Sequence, residues 1–326
     1  MGEGATFAEL LQAFRGVRVV VVGDVMLDEY LFGTATRISP EAPVMVVRQR
    51  DTRHVVGGAA NVALNVQALG ADVSLLGIVG DDEAGRLLRD AATAAGLDAR
   101  FLVDPSRPTT RKTRIVANSS HQVLRVDHES TAEPDAATQT DWLATIRDAI
   151  RSANPHVVLA SDYAKGALSA EVVRALVESA RSDGRKLVAN GKPRSATHYA
   201  GADVVSFNRP ESEAILESAV GDGRAAARAL GERLGIHEVV VTLGDKGLAT
   251  ARYAVPSVPV EVFDPAGAGD TAIATLALAY GAESSDRLSE SALHLAAHTA
   301  AAVVRKVGVA VPNVQDLEAI AQIRVP

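Results

Sequence analysis

Short apolar runs at Val17–Val22 (interrupted only by Arg18), Val73–Val79, Val157–Ala160, Lys186–Ala189, Val204–Ser206 and Glu238–Thr242 set the tightest limit on the fold of this chain. A run that stays apolar instead of alternating has both faces covered, as a parallel strand has between two layers of helices. Helix-like segments fall between and after these runs. One opens at Gly57-Gly58, reaches Leu69 and is closed by Gly70; another covers Glu83–Ala95 and ends at Gly96; Asp270–Tyr280 and Ser289–Lys306 form a closing pair. The middle of the chain breaks the rhythm. Lys112–Val116 and Gln122–Val126 read as a hairpin around Asn118-Ser119-Ser120, and Val44–Val47 and Arg53–Val56 are further extended pieces within a polar, proline-containing stretch. The expected fold is α/β: a doubly wound, mostly parallel sheet flanked by helices, with a small β-sheet lid. One domain over residues 1–326 is expected, with lid segments near residues 30–56 and 108–127.

That architecture also says where a ligand must lie, because open α/β sheets bind ligands beyond the carboxyl ends of their strands. Polar residues collect there: Asp24 after the first strand, Asp162 and Lys165 after Val157–Ala160, and Lys192 after Lys186–Ala189. Asn208 and Glu211 follow Val204–Ser206, and Thr242 and Gly244 close the next. Together they predict one cleft along one edge of the sheet. Composition narrows its occupant. A formal net charge of -7 gives no electrostatic support for nucleic acid or an anionic membrane. The lack of cysteine excludes disulfides, thiolate metal sites and a cysteine nucleophile. Met1–Leu11 contains Glu3 and Glu9 and has no basic start followed by an apolar run. The apolar stretch after Asp270 stops at Glu283, short of the roughly 20 residues that span a bilayer. A soluble, cytoplasmic protein with no nucleic-acid or membrane partner is expected.

The element richest in chemistry is Asp264-Pro265-Ala266-Gly267-Ala268-Gly269-Asp270-Thr271, which runs straight into a helix. Glycines at a helix start let backbone N–H groups reach an anion, and the helix dipole favours negative charge there. An aspartate in the same turn can take a proton from a hydroxyl while the amides hold phosphoryl oxygens, the pairing that phosphoryl transfer needs. The competing reading is that Asp270 only caps its helix. Gly57-Gly58-Ala59-Ala60-Asn61 is a second glycine-led helix start, suited either to close packing or to a polyhydroxylated ligand facing Asn61. Neither run has the lysine of a Walker loop or the spacing of a dinucleotide fingerprint. Alternation puts Lys112 and Arg114 on one strand face and Arg111 on the other. The pair, with Arg125, suits either an anion clamp or a charged edge strand. His294 and His298 lie four apart on a helix but lack a third ligand, and read as ordinary helix histidines.

The order of these motifs resembles the ribokinase/PfkB carbohydrate kinases: Gly57–Asn61 near the front, Asn208-Arg209-Pro210-Glu211 in the second half, and Gly267–Asp270 near the end. Gly23-Asp24-Val25-Met26-Leu27-Asp28, Arg37–Val44, Leu124–Asp127 and Ser161-Asp162-Tyr163-Ala164-Lys165-Gly166 are similar to the D-glycero-β-D-manno-heptose 7-phosphate kinases. The likeness covers about Val17 to Ala310. Some of those kinases carry a nucleotidyltransferase domain after the kinase; this chain is expected to lack one. The resemblance implies Asp270 as base, Gly267 with the Ala268 and Gly269 amides as an anion hole, and heptose 1,7-bisphosphate as product. It implies ATP and Mg²⁺ at Asn208, Arg209, Pro210 and Glu211, with Lys192, Thr242, Gly244 and Gly247 also at the nucleotide and Glu211 toward the metal. Asp24, Gly57, Gly58 and Asn61 would hold the sugar, and Lys112, Arg114 and Lys165 its phosphate. A monovalent cation is implied beside Asp264, and a homodimer through the lid. Two departures stand out. Asn190-Gly191-Lys192 replaces Asp-Pro-Lys, and Ala266 replaces a hydroxyl residue. Other acceptors (fructose, a fructose phosphate, ribose or a nucleoside) and a non-catalytic sugar-binding protein are the alternatives.

Overall fold

The computed structural model describes residues 6–118, 121–306 and 308–323. Residues 1–5, on which the targeting argument partly rests, and Ser119 and Ser120 of the expected hairpin turn lie outside them. The first third of the chain comprises α1 (Phe7–Phe14), β1 (Arg18–Gly23), β2 (Val25–Ile38), β3 (Met45–Gly58), α2 (Ala59–Ala68), β4 (Asp72–Val79), α3 (Glu83–Ala94) and β5 (Asp98–Val103). The middle comprises β6 (Arg111–Ala117), β7 (His121–His128), α4 (Ala136–Ala153), β8 (Val157–Ser161), α5 (Ala170–Asp183) and β9 (Lys186–Asn190). Then come β10 (Val204–Asn208), α6 (Arg209–Leu216), α7 (Gly223–Leu234), β11 (Glu238–Thr242), β12 (Leu248–Ala249) and β13 (Ala254–Val255). Helices α8 (Ala268–Ala282), α9 (Glu290–Val303) and α10 (Val314–Ala321) close the chain.

Among the described residues nine strands form one sheet in the order β13-β12-β11-β10-β9-β8-β1-β4-β5. Every pairing from β11 to β5 is parallel, and the two pairings beyond β11 are antiparallel. The valines of β1 show why such a strand must be apolar throughout. Val19 and Val21 enter one core, built largely from α2, α8 and α9, while Val20 and Val22 enter the other, built from α4, α5 and α7. All four are buried, each stabilising the fold by about 1.5–3 kcal/mol relative to exposure. From β1 the chain moves outward through β4 and β5, then returns to β8 on the other side of β1. This reversal makes the gap beyond the carboxyl ends of β1 and β8 the switch point of the sheet.

Four strands form a second sheet in the order β3-β2-β6-β7. It exceeds the sequence expectation. Residues 25–38, read as a polar connection with short extended pieces, form one long strand paired antiparallel with residues 45–58. Register shifts at Phe32/Gly33 and Ala35/Arg37 break the alternation that would have revealed it. The helix expected from Gly57 begins at Ala59, because both glycines still belong to β3. Strands β5, β12 and β13 also escaped the apolar-run criterion: β5 and β13 are the edges, where no continuous apolar face is demanded, and β12 is only two residues long.

One side chain links the sheet to the helix that carries Asp270. Lys186, the first residue of β9, reaches the carboxyl end of α8, where its Nζ donates to the carbonyls of Tyr280 and of Glu283, the latter at 2.6 Å. A cation there complements the negative end of the helix dipole. No helix among the described residues is long and apolar enough to cross a membrane.

Candidate active site

At the start of α8 the chain turns through Gly267 at φ +84°, a left-handed conformation that glycine adopts without strain. Ala268 and Gly269 are the first helical residues and Asp270 the third. Their amides belong to the group that no helical carbonyl can satisfy, although Ala268 N has a long contact of 3.3 Å with Pro265 O. A side chain at Gly269 would meet nothing within 4 Å, so this flank of the helix start is open space. The Asp270 carboxylate does not cap the helix. It accepts from Asn61 Nδ2 at 2.6 Å and from the Tyr163 hydroxyl, and no side-chain cap exists at this end. Burial pushes its carboxyl above the ordinary range, and nearby Asp28 adds to the push. The Tyr163 and Asn61 hydrogen bonds and Lys192 pull the other way. A raised carboxylate that stays hydrogen-bonded is suited to accepting a proton.

Asn61 and Asn65 lie one turn apart on α2, so both face α8. Asn65 Oδ1 accepts from Thr271 Oγ1 at 2.7 Å, which pins the residue after Asp270. Tyr163 arrives from the loop after β8. The carboxylate of Asp24, 3% exposed, accepts there from the backbone N–H groups of Tyr163 (2.8 Å), Lys165 (2.9 Å) and Ala167 (2.9 Å). Asp24, expected to hold sugar, lies beneath this loop with both carboxylate oxygens accepting from it. Asp162 accepts from Ala164 N at 2.7 Å and Ser195 Oγ at 2.5 Å. Asn190, the departure from Asp-Pro-Lys, accepts from Asp162 N at 3.0 Å. Its amide oxygen therefore serves loop architecture.

The carboxylate that faces Asp270 from the second sheet is Asp28, four residues after Asp24. Gly57 is required beside it, since a Cβ there would fall 2.1 Å from Asp28 Oδ2. Gly58 ends β3 and caps α2, and Asn61 follows in its first turn. Arg114 forms an ion pair with Asp28 and lies over the Tyr30 ring at 5.2 Å. Lys112 sits in register with Asp28 on one side and Asp127 on the other. Lys165 pairs with Glu129 at 2.6 Å. The three residues expected to clamp a phosphate thus lie beside carboxylates, and an anion must compete for Arg114 and Lys165. Arg125 is taken up by Asp127.

On the nucleotide side, Asn208 and Glu211 form a reciprocal capping box at the start of α6, with Arg209 and Pro210 between them. Glu211 also pairs with Lys192, which lies 5.7 Å from the Tyr163 ring centroid. Thr242 is in register with Asn208 on the neighbouring strand. Gly244 opens the turn after β11 and Gly247 closes it. Asp264 joins the loop before α8 to a distant turn, accepting from Ala266 N at 2.9 Å and Gly308 N at 3.1 Å. His298 packs against the Phe7 ring, and no group of three metal-ligating side chains occurs among the described residues. Sequence reasoning gave no role to Tyr163 or Asp28. Both lie inside motifs that carry the resemblance, Gly23–Asp28 and Ser161–Gly166, and their contacts to Asp270 come from distant parts of the chain.

A profile of the pfkB family of carbohydrate kinases matches residues 17–316. A bifunctional protein HldE from Caulobacter vibrioides is 41% identical over 324 residues, covering 96% of this chain and 65% of that protein. A second, from Azorhizobium caulinodans, is 40% identical over 311 residues, covering 92% of this chain and 64% of that protein. The chain spans just under two thirds of the length of these curated relatives. Escherichia coli phosphofructokinase-2, solved in complex with potassium, superposes with a TM-score of 0.76 at 16% identity, over 94% of this chain and 98% of that one. Arabidopsis thaliana ribokinase with ribose and ATP gives 0.72 at 21% identity, over 94% and 99%. Both share the fold.

Proposed function

The chain belongs to the pfkB family of carbohydrate kinases, and from that membership we propose that it transfers the γ-phosphoryl group of ATP to the anomeric hydroxyl of D-glycero-D-manno-heptose 7-phosphate. The product is heptose 1,7-bisphosphate. The observation that carries the reading is Asp270: a carboxylate at a helix start, held by two neutral donors, with open space beside Gly269. Asp270 takes the proton of the acceptor hydroxyl as that oxygen attacks the γ-phosphorus and ADP leaves, while the helix-start amides hold the phosphoryl oxygens. Asp28, Gly57, Gly58 and Asn61 border the acceptor, and Lys112, Arg114 and Lys165 are the cations for its phosphate. Asn208 to Glu211, Lys192, Thr242, Gly244 and Gly247 border ATP.

A divalent ion such as Mg²⁺ neutralises charge on the β- and γ-phosphoryl oxygens when bound. Glu211 is the carboxylate that would hold it. One carboxylate suits an ion that keeps its waters and comes with a nucleotide. Asp264 is the residue that would face a monovalent cation, and Ala266 offers no hydroxyl beside it.

The reading of the acceptor is tested by ATP consumption over a panel of free and phosphorylated sugars. Turnover is expected with heptose 7-phosphate, and activity confined to unphosphorylated sugars would refute it. A homodimer through the second sheet belongs to the same proposal. Leu124 and Val126, 52% and 50% exposed, form an apolar strip on one face of β7. Converting both to lysine is expected to turn a dimer into a monomer in sedimentation, and a wild-type chain that sediments as a monomer at micromolar concentration rules the interface out.

A further inference from the structure

We infer that Tyr163 is the positioning residue of the base: its hydroxyl donates to Asp270 Oδ1 and, with Asn61 on Oδ2, fixes how the carboxylate meets the acceptor. The inference rests on Asp270 being the base and adds a residue to which that reading gives no role.

The geometry begins one shell further out. A tyrosine at the tip of a βα loop orders a partner only if its own backbone is fixed. Here Asp24 accepts three backbone N–H groups of the loop from below, one of them that of Tyr163 itself. Asp162 holds Ala164 N at 2.7 Å, which supports Ala164 at φ +58°, a left-handed conformation that non-glycine residues rarely adopt. Arg107 donates to the carbonyl of Lys165, and Trp142 Nε1 to that of Ala167 at 2.9 Å. The strained residue thus directly follows Tyr163, and bonds on both sides hold it. Backbone strain kept in place by surrounding bonds gathers at functional sites, and what this loop delivers is one phenol hydroxyl onto Asp270.

Charge fits the arrangement. Burial, together with the Asp270 carboxylate and Asp24, pushes the Tyr163 hydroxyl well above its ordinary range, so it remains a donor at working pH; Ser161 opposes this. The groups facing Asp270 from each neighbouring element are Asn61 from α2, Asp28 from β2, Tyr163 after β8 and Lys192 after β9. Of these, Tyr163 and Asn61 stabilise the ionised carboxylate through hydrogen bonds. Each occupies one oxygen, leaving the remaining lone pairs for the acceptor hydroxyl.

Tyr163→Phe removes the donor and keeps the ring beside Lys192. With the hydrogen bond to the ionised form gone, the Asp270 titration should move up by about one to two pH units. The first measurement needs no substrate: a pH titration of aspartate carboxyl carbons by NMR, with Asp270→Asn identifying the resonance. The second is the acid limb of kcat/KM with Mg-ATP and heptose 7-phosphate, which should move by the same amount while the KM for ATP stays constant. A hydroxyl that is merely structural would lower the thermal midpoint and leave the titration in place. An unmoved Asp270 resonance in Tyr163→Phe therefore overturns the inference. Turnover that survives in Asp270→Asn overturns the base assignment instead, whatever the resonance does.

Discussion

Asp270→Asn is expected to lower kcat by about 10²- to 10⁴-fold, the range general-base catalysis contributes, with little change in the affinity for ATP. Asparagine keeps the shape and can still accept from Tyr163, but it takes no proton. The variant should also be at least as stable as the wild type near neutral pH. Burial holds the folded carboxyl above its ordinary value, so the stabilising protonated form is fully present below the unfolded value of about 4 and is lost as pH rises through the folded one. The ionised, desolvated carboxylate is therefore a liability at neutral pH that asparagine relieves. Its amide would face the Asn61 donor, yet Asn61 can turn, since its own Oδ1 has only a 3.5 Å contact with Asn65. Thermal denaturation at several pH values checks this: the advantage of the variant should shrink as pH falls. Wild-type turnover by Asp270→Asn would remove Asp270 from the chemistry.

Asp24→Ala should destabilise the protein by about 3–5 kcal/mol, because three buried N–H groups lose their acceptor together. Asp24→Asn separates geometry from volume. Oδ2 serves Tyr163 and Lys165 while Oδ1 serves Ala167, so the amide can turn its oxygen toward the pair and oppose a donor only at Ala167. Its loss should fall between wild type and alanine, and urea denaturation orders the three. Equal stability of wild type and Asp24→Ala would mean the loop does not depend on this carboxylate. Both variants should lose activity as well, because the same loop carries Tyr163.

These two aspartates also show what the sequence can tell and what it withholds. The central strands were legible because burial on both faces demands an unbroken apolar run, as in Val19–Val22. The second sheet was not, because bulges interrupt its alternation and charged pairs such as Arg53 with Asp51 occupy its surface. The turn at Gly267 was legible for a related reason: few residues other than glycine can make it. Within the site, legibility ended where contacts are long-range. Tyr163 lies 107 residues from Asp270, and nothing local to either residue announces their bond. Asp24 and Asp28 look equivalent in sequence, and only the loop after β8 decides that one turns inward and the other toward Asp270.

Strand β9 carries a lysine at its start and another just past its end, and both serve α8: Lys186 grips the carboxyl end of the helix, and Lys192 stands near Asp270 at the other. The strand therefore acts as a ruler laid along the helix. Lys192 also grips Glu211 at the start of α6, so the same strand ties two helix starts to the central sheet. The second sheet contributes Asp28, Lys112 and Arg114 but no part of that ruler. Variation in the second sheet can then change the surroundings of Asp28 without altering the spacing that β9 sets along α8.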